Sequence, residues 1–435
     1  MPARLDSRAP GFEEDFVRFL NVKRDVESDV ERAVADIIAR VRGEGDAALI
    51  DYTRRFDRFD VTVETLAIGE DEIAKARAAC PADQIKALEH AAQRIRDFHA
   101  KQIPADLDYR DPSGHRLGYR WRPVDAVGMY VPGGTASYPS SVLMNALPAK
   151  VAGVKRLVMV VPTPKGEINP LVLAAASIAG VDEVYRIGGA QAVAALAYGT
   201  ETIKPVDKIC GPGNAYVAAA KRQVFGAVGI DMVAGPSEVL VVADGKSDPA
   251  WIAADLLAQA EHDVNAQSIL ITDDAAFATS VERAIDVHLQ TLSRSDIARQ
   301  SWRDYGALIL VSSLDQAPAL IDRFAPEHLE LALDDPEPLL ARINHAGAIF
   351  LGRHAPEALG DYIAGPNHVL PTARSARYSS GLGVFDFLKR SSIIGASPAA
   401  LRDTGPDAVT LARAEGLDAH ALSISIRLGE PSGGK

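Results

Sequence analysis

Residues 230–263 read IDMVAGPSEVLVVADGKSDPAWIAADLLAQAEHD. Gln259 and His262 stand three residues apart in the second half of that stretch, and a helix puts positions so spaced on one face. A carboxamide oxygen beside an imidazole nitrogen can hold a divalent metal such as zinc. Two donors do not complete a site, so the rest must come from elsewhere in the chain. His328 follows Glu327 in Ala325-Pro326-Glu327-His328-Leu329-Glu330, on a turn entering an alternating run over residues 329–333. An adjacent carboxyl and imidazole at a strand end suit general acid–base work, with an exposed polar turn as the competing reading. Asp361 lies in Gly360-Asp361-Tyr362, and His368 just beyond it in Gly365-Pro366-Asn367-His368. A carboxylate in a glycine-flanked loop can ligate a metal, although Gly-Asp is also ordinary turn chemistry. His420 sits late in the sequence, in Glu415-Gly416-Leu417-Asp418-Ala419-His420, where a lone histidine is usually inert. Cys210 could attack an aldehyde to form a thiohemiacetal. It ends a buried-looking strand, however, and cysteine there mostly acts as a small apolar residue.

The elements that must position these residues alternate strand and helix. A strand over residues 239–243 follows a tight turn at 234–237, and a helix begins near Asp248-Pro249. Upstream, strands at 124–130, 156–161, 182–187 and 206–210 each lead through a turn into a helix. Downstream, strands at 268–272 and 307–311 alternate with helices at 251–262, 275–291 and 314–323. Apolar strands separated by helices predict parallel, doubly wound sheets. Two α/β domains are expected. Gly188-Gly189-Ala190-Gln191 and Gly211-Pro212-Gly213-Asn214 both open helices at the carboxyl ends of strands, where such sheets bind ligands and helix N-termini attract phosphate. Neither matches G-x-G-x-x-G, because Tyr216 holds the third glycine position. These turns permit a nucleotide without demanding one. Residues 1–24 read as a helical lead with Phe12, Phe16 and Phe19 at helical spacing. Residues 29–53 and 70–103 read as helices, and 109–131 as short strands.

Composition narrows the classes. A chain of 435 residues is long enough for two or more sizeable cores. Forty-six basic against 58 acidic residues give a net charge of −12, which argues against non-specific nucleic-acid binding. No apolar run approaches the roughly 20 residues a membrane span needs. Arg4, Asp6 and Arg8 interrupt any signal-peptide apolar region in the first residues. Cys80 and Cys210 are the only cysteines, which fits a reducing, cytoplasmic setting.

Several blocks together resemble the histidinol dehydrogenase family. They are Ile230-Asp231-x-x-Ala-Gly-Pro-Ser237-Glu238, the Asp255–His262 segment and Pro326-Glu327-His328-Leu329-Glu330. Further on come Gly365-Pro366-Asn367-His368-Val-Leu-Pro371-Thr372, Ala373-Arg-x-x-x-x-Ser379-Ser-Gly-Leu and Phe385-Asp-Phe-Leu-Lys-Arg390. The resemblance runs over residues 12–425 and keeps its order. It implies a zinc-dependent, NAD-linked oxidation of L-histidinol to L-histidine through L-histidinaldehyde, the last steps of histidine biosynthesis. Carried over by position, the zinc ligands (one ion per subunit) are Gln259, His262, Asp361 and His420, and the proton-transfer residues are Glu327 and His328. Substrate contacts fall on Ser237, Gln259, His262, His328, Asp361, His368, Glu415 and His420, and NAD contacts on Tyr130, Gln191 and Asn214. The implied fold is two doubly wound, incomplete Rossmann-like domains with small terminal extensions used in dimerisation. The larger domain would comprise residues 25–129 and 239–381 and carry the metal. The second would be 130–238, on the NAD side. Residues 1–24 would be an N-terminal extension. The tail, 382–435, would cross to the partner of a homodimer and bring Glu415 and His420 to the partner's site. Rivals are a paralogue oxidising another polar alcohol, such as a sulfonated propanediol, a zinc hydrolase, and a catalytically dead binding protein. Retention of Glu415, His368 and all four ligand positions favours an amino, imidazole-bearing substrate.

Overall fold

A computed structural model of the chain describes residues 2–22, 28–133, 138–233 and 235–429. The turn positions Gly134 and Ala234 and the last residues, 430–435, lie outside that description. The contacts divide the chain into two units, residues 1–102 with 125–387 and residues 103–124 with 388–435.

The first unit holds two parallel sheets. In the six-stranded sheet the order is Ala3–Asp6, Ala307–Leu310, Gln267–Thr272, Glu238–Ala243, His328–Ala332, Ala348–Leu351. In the five-stranded sheet it is Glu183–Tyr185, Arg156–Val160, Ala126–Tyr130, Lys208–Cys210, Gly229–Ile230. Numbered along the chain and setting aside Ala3–Asp6, both sheets have the order 3-2-1-4-5, that of a doubly wound fold lacking its sixth strand. The central strand Glu238–Ala243 explains itself by its sequence. It is apolar on both faces after Glu238, so Val239, Val241 and Ala243 pack under the Pro249–Ala260 helix, while Leu240 and Val242 join Phe16, Ile321 and Leu329 on the other side. Burying such aliphatic side chains contributes roughly 1.5–3 kcal/mol each.

Three sequence expectations are corrected. Residues 1–24 are not a purely helical extension. Ala3–Asp6 is a strand paired in parallel with Ala307–Leu310, and the helix Phe12–Leu20 follows it. Ala3, Leu5, Phe12, Phe16 and Phe19 all join one core cluster, so the segment completes the edge of the sheet within its own chain. Next, the helices within residues 28–100, expected in the domain of the six-stranded sheet, cover the five-stranded one. Val34, Ile38, Ala48 and Leu49 pack with Val193, Leu196 and Val217, and the Ala82–Ala100 helix packs on Pro139–Ala152. An amphipathic helix needs an apolar surface, and its sequence does not say which one. Last, the strands Leu107–Arg110 and Arg116–Pro123 do not belong to either parallel sheet. They form an antiparallel three-stranded sheet with Leu388–Gly395 in the second unit. That unit ends in the helices Pro398–Ala414 and Asp418–Leu428, packed on each other around Val409, Ala412 and Ala421. Among the described residues no helix is long and apolar enough to cross a membrane.

Candidate active site

Pro326, Glu327 and His328 enter the His328–Ala332 strand through a strained corner. Ala325 caps the preceding helix at φ 48°, a left-handed conformation that non-glycine residues rarely adopt. On the neighbouring edge the Gly347 and Ala348 N–H groups donate to the Pro326 and Glu327 carbonyls at 2.9 Å, which fixes the corner against the sheet. Glu327 is 6 % exposed, and its Oε2 accepts from the Glu238 N–H at 2.9 Å. His328 is 5 % exposed. Its Nδ1 lies 3.0 Å from the Glu238 carbonyl, which can only accept, so Nδ1 carries the proton and Nε2 is the free base. Burial, then the nearby His262 and His368, lowers the His328 pKa to about 4, so the ring is neutral near pH 7.

Gln259 lies in the last turn of the Pro249–Ala260 helix, as its spacing predicts, while His262 falls in the turn just after the Glu261 cap rather than on the helix itself. The Asp248 side chain caps that helix by accepting from the Ala250 N–H at 2.8 Å, and Pro249 occupies its first turn. The helix returns antiparallel to the strands, so its end overlies their amino ends. Asp361, on the short Glu357–Tyr362 helix, gathers three imidazoles around it. His262 Nε2 is 3.9 Å from Oδ2, while His328 Nε2 and His368 Nδ1 are 4.0 and 3.8 Å from Oδ1. Burial raises the Asp361 pKa to about 6 and lowers that of His262, a change that Arg294 reinforces. His368 is held by the Asp361 carbonyl, 3.0 Å from Nδ1, and by Ser141 Oγ, 3.2 Å from Nε2. Its pKa falls to about 4, chiefly through burial.

The residues present fit a divalent cation. Gln259 is 1 % exposed and its Oε1 has no hydrogen-bond partner, so a buried oxygen that needs a donor or a cation faces none. Beside it stand a neutral imidazole and a carboxylate, the N and O donors that zinc takes. Among the described residues no group of three or more His, Cys, Asp and Glu side chains forms a metal cluster. Gln259 is not one of those residue types, and the fourth expected ligand, His420, is an exposed residue of the other unit, as is Glu415. Ser237 is part-buried just before the strand Glu238–Ala243.

On the five-stranded sheet, the glycine turns occupy the carboxyl edge. The Tyr130 hydroxyl accepts from the Gly189 N–H at 3.2 Å, at the start of the helix Gly189–Tyr198. Gln191 in the first turn of that helix is 2 % exposed, and its Oε1 has no hydrogen-bond partner. Asn214 caps the next helix through the Tyr216 and Val217 N–H groups, at 3.1 and 3.2 Å. Gly211 has φ +107°, and a Cβ there would come within 2.2 Å of the Tyr130 carbonyl oxygen. Its N–H donates to Asp231 Oδ2 at 2.9 Å, and its carbonyl accepts from Lys221 Nζ at 3.0 Å. Lys221 and Asp231 are themselves a buried ion pair. Cys210 is fully buried, and burial together with Asp231 pushes its thiol up, which leaves it without thiolate character.

Sequence reasoning missed Ser141, Glu238 as the acceptor for His328, and Glu357, whose Oε2 lies 3.6 Å from His328 Nδ1. Only Glu238 had a signal, its place beside Ser237 in a recognised block.

The histidinol dehydrogenase family model matches residues 20–428. A histidinol dehydrogenase of Ruegeria pomeroyi is 63 % identical over 433 residues, covering 100 % of both chains. That of Rhodospirillum rubrum is 64 % identical over 429 residues, 98 % of this chain and 99 % of the relative. The crystal structure of histidinol dehydrogenase from Elizabethkingia anophelis superposes with a TM-score of 0.94 at 36 % identity, covering 98 % of each chain. By that match over nearly its whole length, the chain belongs to the histidinol dehydrogenase family, an oxidoreductase family.

Proposed function

We propose that the protein oxidises L-histidinol to L-histidine through L-histidinaldehyde, with NAD as oxidant and one zinc ion per subunit, in the last steps of histidine biosynthesis. The observation that carries this reading is His328, a buried neutral imidazole with Nδ1 tied to the Glu238 carbonyl and Nε2 facing Asp361 and the His262 side. Bound zinc would supply an anchor for the substrate's amine and imidazole nitrogens, and the dinucleotide an acceptor for hydride. Gln259, His262 and Asp361 would hold the metal, joined by His420 of a second subunit. Tyr130, Gln191 and Asn214 would hold the dinucleotide at the carboxyl edge of the five-stranded sheet.

His328 Nε2 would take the proton from the hydroxyl oxygen as the carbon bearing it gives up a hydride to the bound dinucleotide, leaving the aldehyde carbonyl. In the second oxidation Glu327 deprotonates a water that attacks the aldehyde carbon. The Glu238 N–H holds that carboxyl in place at 2.9 Å. Ser237, His368, Glu415 and His420 contact the substrate. His368, fixed by Ser141, is a neutral ring that can pair with a polar substrate group. The test is reduction of NAD by purified protein with L-histidinol, with L-histidine as product and zinc measured in the same preparation. Two NAD reduced per histidinol is the expected result. No absorbance change, or turnover of a sulfonated diol in preference, overturns the reading.

A further inference from the structure

The peptide groups of Gly211 are held by side chains and not by neighbouring strands. Parallel pairing of the strand Lys208–Cys210 with Ala126–Tyr130 ends at Cys210 and Met129, and the chain then turns away at φ +107°. Gly211 is buried, so its N–H and its carbonyl both need partners. The N–H donates to Asp231 Oδ2 at 2.9 Å, and the carbonyl accepts from Lys221 Nζ at 3.0 Å. Lys221 reaches the turn from the helix Ala215–Val224, which the turn itself opens. Asp231 reaches it from the end of the neighbouring strand Gly229–Ile230, where its own N–H donates to the Ile209 carbonyl at 3.1 Å. The Lys221 and Asp231 side chains, 3 % and 0 % exposed, are also ion-paired with each other. A buried pair of this kind adds little net stability, because desolvation offsets the attraction, and apolar residues of similar volume commonly serve as well. Its geometry has a more specific result. Carboxylate, ammonium and the Gly211 peptide close a ring that fixes where the turn leaves the sheet. Two expected dinucleotide contacts depend on that point. The Gly211 backbone lies against the Tyr130 carbonyl too closely to admit a Cβ. Three residues on, Asn214 caps the helix, and Gly213 is pressed so close to Val217 that it too has no room for a Cβ.

We propose that Lys221 and Asp231 are positioning residues for the dinucleotide, holding the Gly211 peptide from both sides and so setting Asn214 against Tyr130. The inference rests on reading Tyr130, Gln191 and Asn214 as dinucleotide contacts. Both side chains are sealed from solvent and act only through the Gly211 peptide. Without them that peptide would have to rotate to find other partners, because a buried N–H or carbonyl is costly to leave unpaired. Rotation would carry Asn214 away from Tyr130. The residues around Asp361 belong to the other sheet and would stay in place, so the loss falls on dinucleotide binding alone.

Two double variants leave no buried charge alone. Lys221→Met/Asp231→Leu removes both holds on Gly211. Lys221→Met/Asp231→Asn keeps an oxygen to accept the Gly211 N–H and loses only the hold on the carbonyl. In the zinc-loaded enzyme the KM for NAD should rise about tenfold in the first variant and by less in the second. The Kd for NADH, titrated by fluorescence, should rise in the same order. The kcat at saturating NAD, the KM for histidinol and bound zinc should keep their wild-type values, the pattern of lost ground-state binding. A merely structural role would lower stability without this split. An unchanged KM for NAD in both variants overturns the proposal, as does a rise in both KM values together with a fall in kcat. If the first variant fails to fold, the second decides, and an unchanged KM for NAD there overturns the proposal. Gly211→Ala separates the two possible failures. If it raises the KM for NAD and the double variants do not, the positioning role alone is wrong. If none of the three changes it, the turn does not belong to the dinucleotide site, and that reading fails first.

Discussion

Glu327 and His328 are neighbours in sequence but are held by different atoms of one residue. The carboxyl rests on the Glu238 N–H and the imidazole on the Glu238 carbonyl. Their proposed roles should therefore separate. Glu327→Gln is expected to lower aldehyde oxidation by roughly 10²–10⁴-fold while sparing alcohol oxidation, read as one NADH formed per histidinol with aldehyde trapped by semicarbazide. Full oxidation to acid at the normal rate refutes the assignment. Burial also makes the site a source of acid sensitivity. His328 and His368 are held at about 4, against an ordinary value of 6.5. Between those values the unfolded chain binds protons that the folded one refuses, so stability falls as the pH drops from about 6.5 towards 4. Asp361, raised to about 6, acts in the opposite sense over part of that window. His368→Asn should isolate the histidine contribution as a shallower loss of melting temperature on acidification, on the order of 1–3 kcal/mol at pH 4. An unchanged slope rejects it. The position of Gln259 at the end of the Pro249–Ala260 helix was legible because helical spacing is local. Ser141 and Glu357 were not, because each reaches the site only through tertiary contacts that leave no mark on their own neighbours in sequence.

At the scale of elements, the two sheets share the order 3-2-1-4-5 but carry their candidate site residues at opposite edges. The glycine turns use the carboxyl edge of one sheet, and the imidazole cluster uses the amino edge of the other. Alternating apolar strands and helices made the doubly wound class readable, because periodicity is local. The choice of edge was not readable, nor was the sheet that the helices of residues 28–100 would cover, since both depend on which apolar surfaces meet. The Gly211 turn gives the sharpest test of the carboxyl edge. Alanine there would have to adopt φ +107° with its Cβ against the Tyr130 carbonyl oxygen. A backbone shift at this turn, costing about 1–3 kcal/mol, should raise the KM for NAD at least tenfold while leaving bound zinc unchanged. An unaltered KM for NAD would remove this turn from the dinucleotide site.

At the scale of the molecule, the unit of residues 103–124 and 388–435 has a small apolar core among its described residues. Its helical pair buries Val409, Ala412 and Ala421, while Leu411 is 64 % exposed, Ile426 52 % and Ile394 on its sheet 78 %. Apolar exposure of that kind invites a partner surface and supports the proposed homodimer with exchanged tails. Mixing inactive His420→Asn chains with inactive His328→Ala chains, after partial unfolding and refolding, should then restore activity. Each heterodimer would hold one site with both residues intact. If the mixture stays dead while sedimentation shows heterodimers, the shared site is wrong. Composition indicated a globular protein with sizeable cores, but the N-terminal segment was misread because a four-residue edge strand carries too little pattern to announce itself. That strand has a consequence for how the protein is made. Ala3–Asp6 leaves the ribosome long before Ala307–Leu310, the strand it pairs with, exists. The five-stranded sheet can close while synthesis continues, whereas the six-stranded one must wait for residues near Leu351. A nascent chain arrested before residue 307 should therefore hold one finished sheet and an open edge, with its earliest strand still looking for its place.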